Sequence, residues 1–213
     1  MPLDRSHIIA LIAITAITWF ASVYLFDFPS TWLEAAKPFV TAITTTSFMI
    51  WLYNKELWKI RILSGWFTKQ PNLDGVWKVE IKSTKIDPKT KKPFRPVKGF
   101  AQIDQSANTF CLRIYTERSK STTVAHSFEL KQSVYSLMVI YQNEPAIEAR
   151  IDENVTHRGS SVYSIRGYSP DVFEGDYWTE EKSIGAIKLT GKITGEINSF
   201  KEGQDLFASI ESK

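Results

Sequence analysis

Apolar residues fall along this chain in two different rhythms. Residues 8–26, IIALIAITAITWFASVYLF, run for 19 positions without a charged side chain, and a second uncharged stretch, PFVTAITTTSFMIWLY, fills 38–53. At about 1.5 Å of rise per helical residue the first covers roughly 28 Å, close to the ~30 Å hydrocarbon core of a bilayer. The second covers only about 24 Å on the same arithmetic. Thr31 and Glu34 have the spacing of a capping box, so this helix gains its missing turn by starting near Thr31 and passing through a kink at Pro38. The pattern predicts a two-helix transmembrane hairpin over residues 1–54. A cleaved signal peptide fits less well, because the first run exceeds the ~7–15 residues of a signal core and a second run follows at once. Thr15, Thr18 and Ser22 recur at helical spacing, as do Thr41, Thr44 and Thr45, which predicts that these hydroxyls face a neighbouring helix.

Beyond Pro71 the rhythm changes to two. Trp77, Val79 and Ile81 alternate with Lys78, Glu80 and Lys82, as a half-buried strand requires. Similar runs at 100–105, 110–116, 122–130, 134–141, 159–165, 172–179 and 185–190 bring the predicted strands to eight. Turn chemistry such as Asp87-Pro88 and Ser169-Pro170-Asp171 separates them. The predicted fold class is therefore a membrane α-helical hairpin followed by an all-β domain over 71–213, an eight-stranded antiparallel up-and-down β-barrel. Closure of the barrel removes the edges that an open sheet would expose. Between hairpin and barrel, 55–70 (KELWKIRILSGWFTKQ) mixes cations with apolar side chains and reads as an amphipathic juxtamembrane connector.

Charge orients this arrangement. Arg5 precedes the hairpin and Lys55, Lys59 and Arg61 follow it, whereas the loop between the runs carries Lys37 against Asp27 and Glu34. The positive-inside rule then puts both termini and the barrel in the cytoplasm of a multi-pass inner-membrane protein, with the loop near Pro29 outside. The lone cysteine, Cys111, fits a reducing compartment, where the Asn154-Val155-Thr156 sequon has no meaning. A net charge of +3 is too small for a nucleic-acid coat, so no DNA or RNA partner is expected. The stretch 82–98 is locally basic, with seven Lys/Arg against Asp87, and reads either as a solvated loop or as a funnel for an anionic ligand.

Catalytic signatures are missing. No Gly-x-Ser-x-Gly elbow occurs, and His7, His126 and His157 share no zinc-ligand spacing with one another or with Cys111, so neither an enzyme nor a metal site is expected.

Several short motifs together carry a resemblance. Leu73-x-Gly75-x-Trp77 is similar to the first strand of lipocalin- and streptavidin-like barrels. Two N-terminal membrane helices, then Leu73-Asp74-Gly75-Val76-Trp77, Thr116-Glu117-Arg118-Ser119-Lys120-Ser121, Tyr141-Gln142-Asn143-Glu144-Pro145, His157-Arg158-Gly159 and Gly175-Asp176-Tyr177-Trp178-Thr179, resemble the two-transmembrane β-barrel effectors of bacterial CBASS antiphage systems. The resemblance implies a cytoplasmic barrel that binds a cyclic dinucleotide made by a partner CD-NTase. It also implies a homo-oligomer on activation, acting on the lipid bilayer of the inner membrane. No cofactor is expected beyond the cyclic dinucleotide as activating ligand.

Matching the family pattern residue by residue points to Thr116, Ser119, Ser121, Tyr141, Asn143, His157, Tyr177 and Thr179 as ligand-binding. Hydroxyl and amide donors suit phosphates and ribose, and aromatic planes suit bases. Trp77, Tyr115 and Trp178 offer further rings, and Arg113, Arg118 and Lys120 further cations. Glu117 and Glu174 depart from what a phosphate site wants. The rival reading is a membrane-tethered lipocalin-like carrier or sensor for a small apolar ligand.

Overall fold

The computed structural model describes residues 5–25, 31–86, 91–146 and 156–211. The chain forms two compact units, Met1–Thr68 with Ser106–Asn108, and Lys69–Gln105 with Thr109–Lys213.

In the first unit, helices α1 (Arg5–Leu25) and α2 (Trp32–Lys55) pack antiparallel. His7 lies against Tyr53, Thr15 against Thr46 and Trp19 against Phe39, an order that reverses along the second helix. Among the described residues only α1 is long and apolar enough to cross a membrane. The expected pair of spans is thus a pair of helices with one qualifying span. Lys37 and the threonine run 44–46 dilute the apolar character of α2, and Pro38 sits inside it. The side chain of Glu34, half of the predicted capping box, is not described, and the loop around Pro29 lies outside the described residues.

The threonine face meets the expectation in part: Thr15 reaches the other helix and Ser22 is buried. Thr18 and Thr41 donate to the carbonyls of Ile14 and Lys37 in their own helices, while Thr15 meets Thr46, a residue the spacing argument passed over. A hydroxyl in an apolar setting satisfies itself on the preceding turn when no partner helix offers an acceptor. The connector contains two 3₁₀ turns, Leu57–Lys59 and Arg61–Leu63, that bury Trp58 and leave Ile62 and Trp66 exposed.

The second unit is a closed antiparallel barrel in simple meander order. Its strands are β1 (Gly75–Ser83), β2 (Val97–Gln105), β3 (Phe110–Thr116), β4 (Ser119–Lys131), β5 (Val134–Pro145), β6 (His157–Arg166), β7 (Val172–Thr179) and β8 (Ile184–Ile193). Inward Trp77, Ile103, Leu137, Ile165 and Leu189 fill one end completely. Trp77 satisfies its buried indole by donating to the Leu73 carbonyl at 2.8 Å. Gln105 ties the entering chain to the barrel, accepting from Leu73 N and donating to Pro71 O.

Several strands run longer than the apolar pattern indicated; β8 also gains 191–193 at the closed end, but most of the added residues lie toward the other end of the barrel. Residues 119–121, 142–145, 157–158 and 184 belong to strands because the inward positions there carry hydroxyls and amides instead of hydrocarbon. The period of two persists; its apolar member does not.

Helix α3 (Phe200–Glu211) was not anticipated. Ser199 and Glu202 form a capping box at its start, and Phe200 and Phe207 pack on Phe100 of the outer barrel wall. A Cβ on Gly203 would lie 2.4 Å from the Phe100 ring, so glycine is what lets the helix seat this close. This helix covers Val76 and Tyr115, turning part of the outer surface into a second small core.

Candidate ligand-binding cavity

At the end opposite the Trp77 core the barrel opens into a cavity of about 680 Å³. That lies within the ~300–1,000 Å³ usual for small-ligand sites. Sheet register arranges its wall in tiers. Nearest the mouth, Ser121 lies opposite Asn143, and Asn143 opposite His157. One tier deeper, Tyr141 lies opposite Gly159, and Gly159 opposite Thr179. The third tier sets Ser161 opposite Tyr177 and Tyr177 opposite Gly185, while Tyr163, Ile187 and Ile81 form the floor.

Two glycines make room for the rings. A Cβ on Gly159 would stand 2.5 Å from the Tyr141 phenol, and one on Gly185 would stand 2.7 Å from the Tyr177 ring. Each tyrosine therefore lies across the bare backbone of the next strand, an aromatic covering a glycine. The rings stand as rigid planes in the wall.

The hydrogen-bonding capacity is neutral inside and charged at the rim. Ser121 Oγ donates to Asn143 Oδ1 at 2.8 Å, leaving the amide nitrogen as a donor. Thr116 and Ser119 close the β3–β4 turn through their hydroxyls at 3.1 Å. Ser161, only 1 % exposed, makes no hydrogen bond of ordinary geometry. Burial holds the Tyr141 phenol above its usual range, reinforced by the neighbouring Tyr163 and Tyr177. Burial likewise pushes Tyr163 up to about 12, against a smaller lowering by the Ser161 hydroxyl. Both phenols stay protonated and can donate to an anion. At the rim stand Arg95 and Arg118 with Glu117, and His157 Nδ1 lies 3.3 Å from Glu181 Oε1.

All eight residues expected from the sequence, Thr116, Ser119, Ser121, Tyr141, Asn143, His157, Tyr177 and Thr179, line this one cavity. The further rings and cations that the sequence offers are placed elsewhere, except Arg118 at the rim. Trp77 is core; Tyr115 and Trp178 point outward, the first beneath α3 and the second into solvent. Arg113 pairs with Asp104, and Lys120 stands over the outer Tyr115 ring. Glu174 is an exposed outward residue of β7, so the acids at the cavity are Glu117 and Glu181. Of the basic stretch, Arg95 and Lys98 border the cavity, and residues 87–90 lie outside the described residues. The sequon at Asn154 lies outside them too.

Sequence reasoning missed Ser161, Tyr163 and Ser183. The signal was available for two of them: Gly159, Ser161, Tyr163 and Ile165 share one parity on β6, so Ser161 is a hydroxyl at a position due to face the interior.

Comparison with protein families matches residues 68–191 to the family described as Cap15, cyclic dinucleotide receptor domain. The chain belongs to the Cap15 family. This is a CBASS effector family, and the match spans the barrel through most of β8, including every expected site residue. Comparison with curated proteins finds no match. The Cap15 receptor domain here ends before α3, so the helix that covers the outer face of β1 and β2 lies beyond the matched segment. Among the described residues no cluster of His, Cys, Asp or Glu is placed to hold a metal ion.

Proposed function

We propose that this chain is a membrane-tethered CBASS effector. A cyclic dinucleotide made by a partner CD-NTase enters the open end of the barrel, and its binding drives self-association and loss of inner-membrane integrity. The chain acts as a receptor and not as an enzyme. The observation that carries the reading is the convergence of all eight expected residues on one cavity in the barrel of a cyclic dinucleotide receptor family.

The chemistry supports it. A cyclic dinucleotide presents two phosphates, ribose hydroxyls and two flat bases. The wall offers Ser121, Asn143, Thr179 and the protonated Tyr141 and Tyr163 as donors, rings for stacking, and Arg118 and Arg95 at the entrance. An apolar cargo would leave these hydroxyls without partners, which disfavours the carrier reading. Ser121→Ala is expected to weaken cyclic dinucleotide affinity by about 0.5–1.5 kcal/mol, rising to about 3 where Ser121 donates to a phosphate. Titration calorimetry on wild-type and variant protein reads this directly; equal affinities would remove Ser121 from the site.

For the membrane part, α1 crosses the bilayer and α2 returns the chain to the cytoplasm, leaving both termini and the barrel on that side. The antiparallel packing supports this, as does the 24-residue length of α2, about 36 Å of helix. Outward Phe39, Val40, Ile43, Phe48 and Trp51 on α2 are apolar surface that water would penalise. An alkaline phosphatase fused to the C-terminus should stay inactive. Strong activity would place the barrel in the periplasm and end the signalling account.

A further inference from the structure

Ser161 has no task in holding the barrel together. It stands in the third tier of the cavity, 1 % exposed. Among the described residues lining the cavity it alone carries a buried polar side-chain atom that no hydrogen bond satisfies. The Tyr163 phenol senses its hydroxyl weakly, without ordinary hydrogen-bond geometry. Such a group costs stability, and alanine or valine at this inward position would avoid that cost. A hydroxyl kept there against the interest of the fold is one that a ligand satisfies.

Charge is segregated along the cavity. Arg95, Lys98, Glu117, Arg118 and Glu181 belong to turns or strand ends at the mouth, and among the described lining residues the tiers below the mouth carry no charged side chain. A phosphate drawn into that neutral interior would lose its hydration without gaining an opposite charge, whereas Arg118 and Arg95 serve it at the mouth. A base has the opposite preference. Its faces gain from aromatic surface, and its edge needs only neutral donors and acceptors. Tyr141 in the second tier and Tyr177 in the third supply rings on the way down. Depth agrees with this division. His157 and Ser161 are two tiers apart on β6, about 13 Å of strand at ~3.3 Å per residue, which a barrel tilt of ~35–45° reduces to roughly 10 Å of depth. That is the reach of one nucleotide from its phosphate to the far edge of its base.

We propose that the cyclic dinucleotide seats base first: one base passes Tyr141 and Tyr177 until its hydrogen-bonding edge meets the Ser161 hydroxyl, while the phosphates stay at the mouth with Arg118 and Arg95. This rests on the receptor reading and goes beyond it, giving the ligand an orientation and the third tier a task of its own. Below Ser161, Ile81, Ile187 and Tyr163 stop the base. A base whose edge leaves this hydroxyl unpaired binds less well, because the cost of burying it is then not relieved.

Ser161→Ala and Arg118→Gln, each in the full chain in detergent, separate the two ends of the ligand. The probes are cyclic di-AMP, cyclic di-GMP and cyclic GMP–AMP, with the 2′-deoxy counterpart of whichever binds best. Without ligand, Ser161→Ala is expected to unfold at the wild-type temperature or above it, since no partner is lost. Its affinity for the best ligand is expected to fall about threefold to tenfold, by the same factor for the ribose and 2′-deoxy forms, with the salt dependence of binding unchanged. Arg118→Gln is expected to weaken binding and also to flatten the salt dependence, as loss of a phosphate contact does. A lower unfolding temperature for ligand-free Ser161→Ala would show that its hydroxyl serves the fold and would overturn the proposal. So would unchanged affinity, a loss confined to the ribose form, which gives Ser161 to a sugar hydroxyl, or a flattened salt dependence, which gives it to a phosphate. In each of these outcomes the wild type still binds, and the receptor reading stands. If the wild type binds none of the three, that reading fails and this inference falls with it.

Discussion

Trp77→Ala is expected to destabilise the barrel by about 3–5 kcal/mol, a large share of the ~5–15 kcal/mol available to a domain of ordinary stability. The indole is fully buried, meets Phe173 edge-on with ring centroids 5.0 Å apart, and donates to the Leu73 carbonyl. Alanine removes the packing, leaves a void among Leu73, Ile103 and Leu189, and strands a buried acceptor. Urea unfolding of the full chain in detergent, followed by near-ultraviolet circular dichroism, measures the loss. A shift below about 1 kcal/mol would mean that the closed end collapses around the void and that the tryptophan is not what sets it.

Asn143→Trp is expected to abolish binding of cyclic dinucleotides while leaving the fold intact. Asn143 is half-buried in the mouth tier between Ser121 and His157, so an indole there fills the entrance without entering the close-packed core. It also removes the amide that accepts from Ser121. Thermal unfolding should stay within a few degrees of wild type, because the surrounding residues tolerate volume at an open rim. Calorimetry with cyclic di-AMP, cyclic di-GMP and cyclic GMP–AMP decides the matter. Retained affinity within about threefold, less than 1 kcal/mol, would place the ligand elsewhere on the protein.

The two variants divide the barrel into a stabilising end and a binding end, and the sequence shows that division only in part. All eight strands were legible because Trp77, Val79, Leu137, Ile165 and Leu189 keep an apolar period of two. Their cavity-end extensions were not, because Ser119, Ser121, Asn143 and His157 keep the period while changing its chemistry. Periodicity read through hydrophobicity alone stops where a barrel becomes a binding site.

The cavity residues were legible through family resemblance and not through spacing. Tyr177 and Trp178 are adjacent in sequence, and only the register with Ser161 and Ser160 fixes which ring faces inward. The same limit explains Tyr115, which resembles a stacking ring until α3 is seen to cover it. The α3 signal was present in Ser199 and Glu202 but stood past the last apolar strand. In the first unit, hydropathy separated α1 cleanly, whereas the threonines and Lys37 of α2 blurred the second span.

One measurement tests the central claim most directly: calorimetric titration of the full chain in detergent with cyclic di-AMP, cyclic di-GMP and cyclic GMP–AMP, paired with thermal unfolding of the same samples. The account predicts saturable heat with at least one of them. It also predicts about 2.7 kcal/mol of added stability when that ligand is present at 100 times its Kd, since it binds only the folded barrel. A folded protein that gives neither heat nor a thermal shift with any of the three would contradict it.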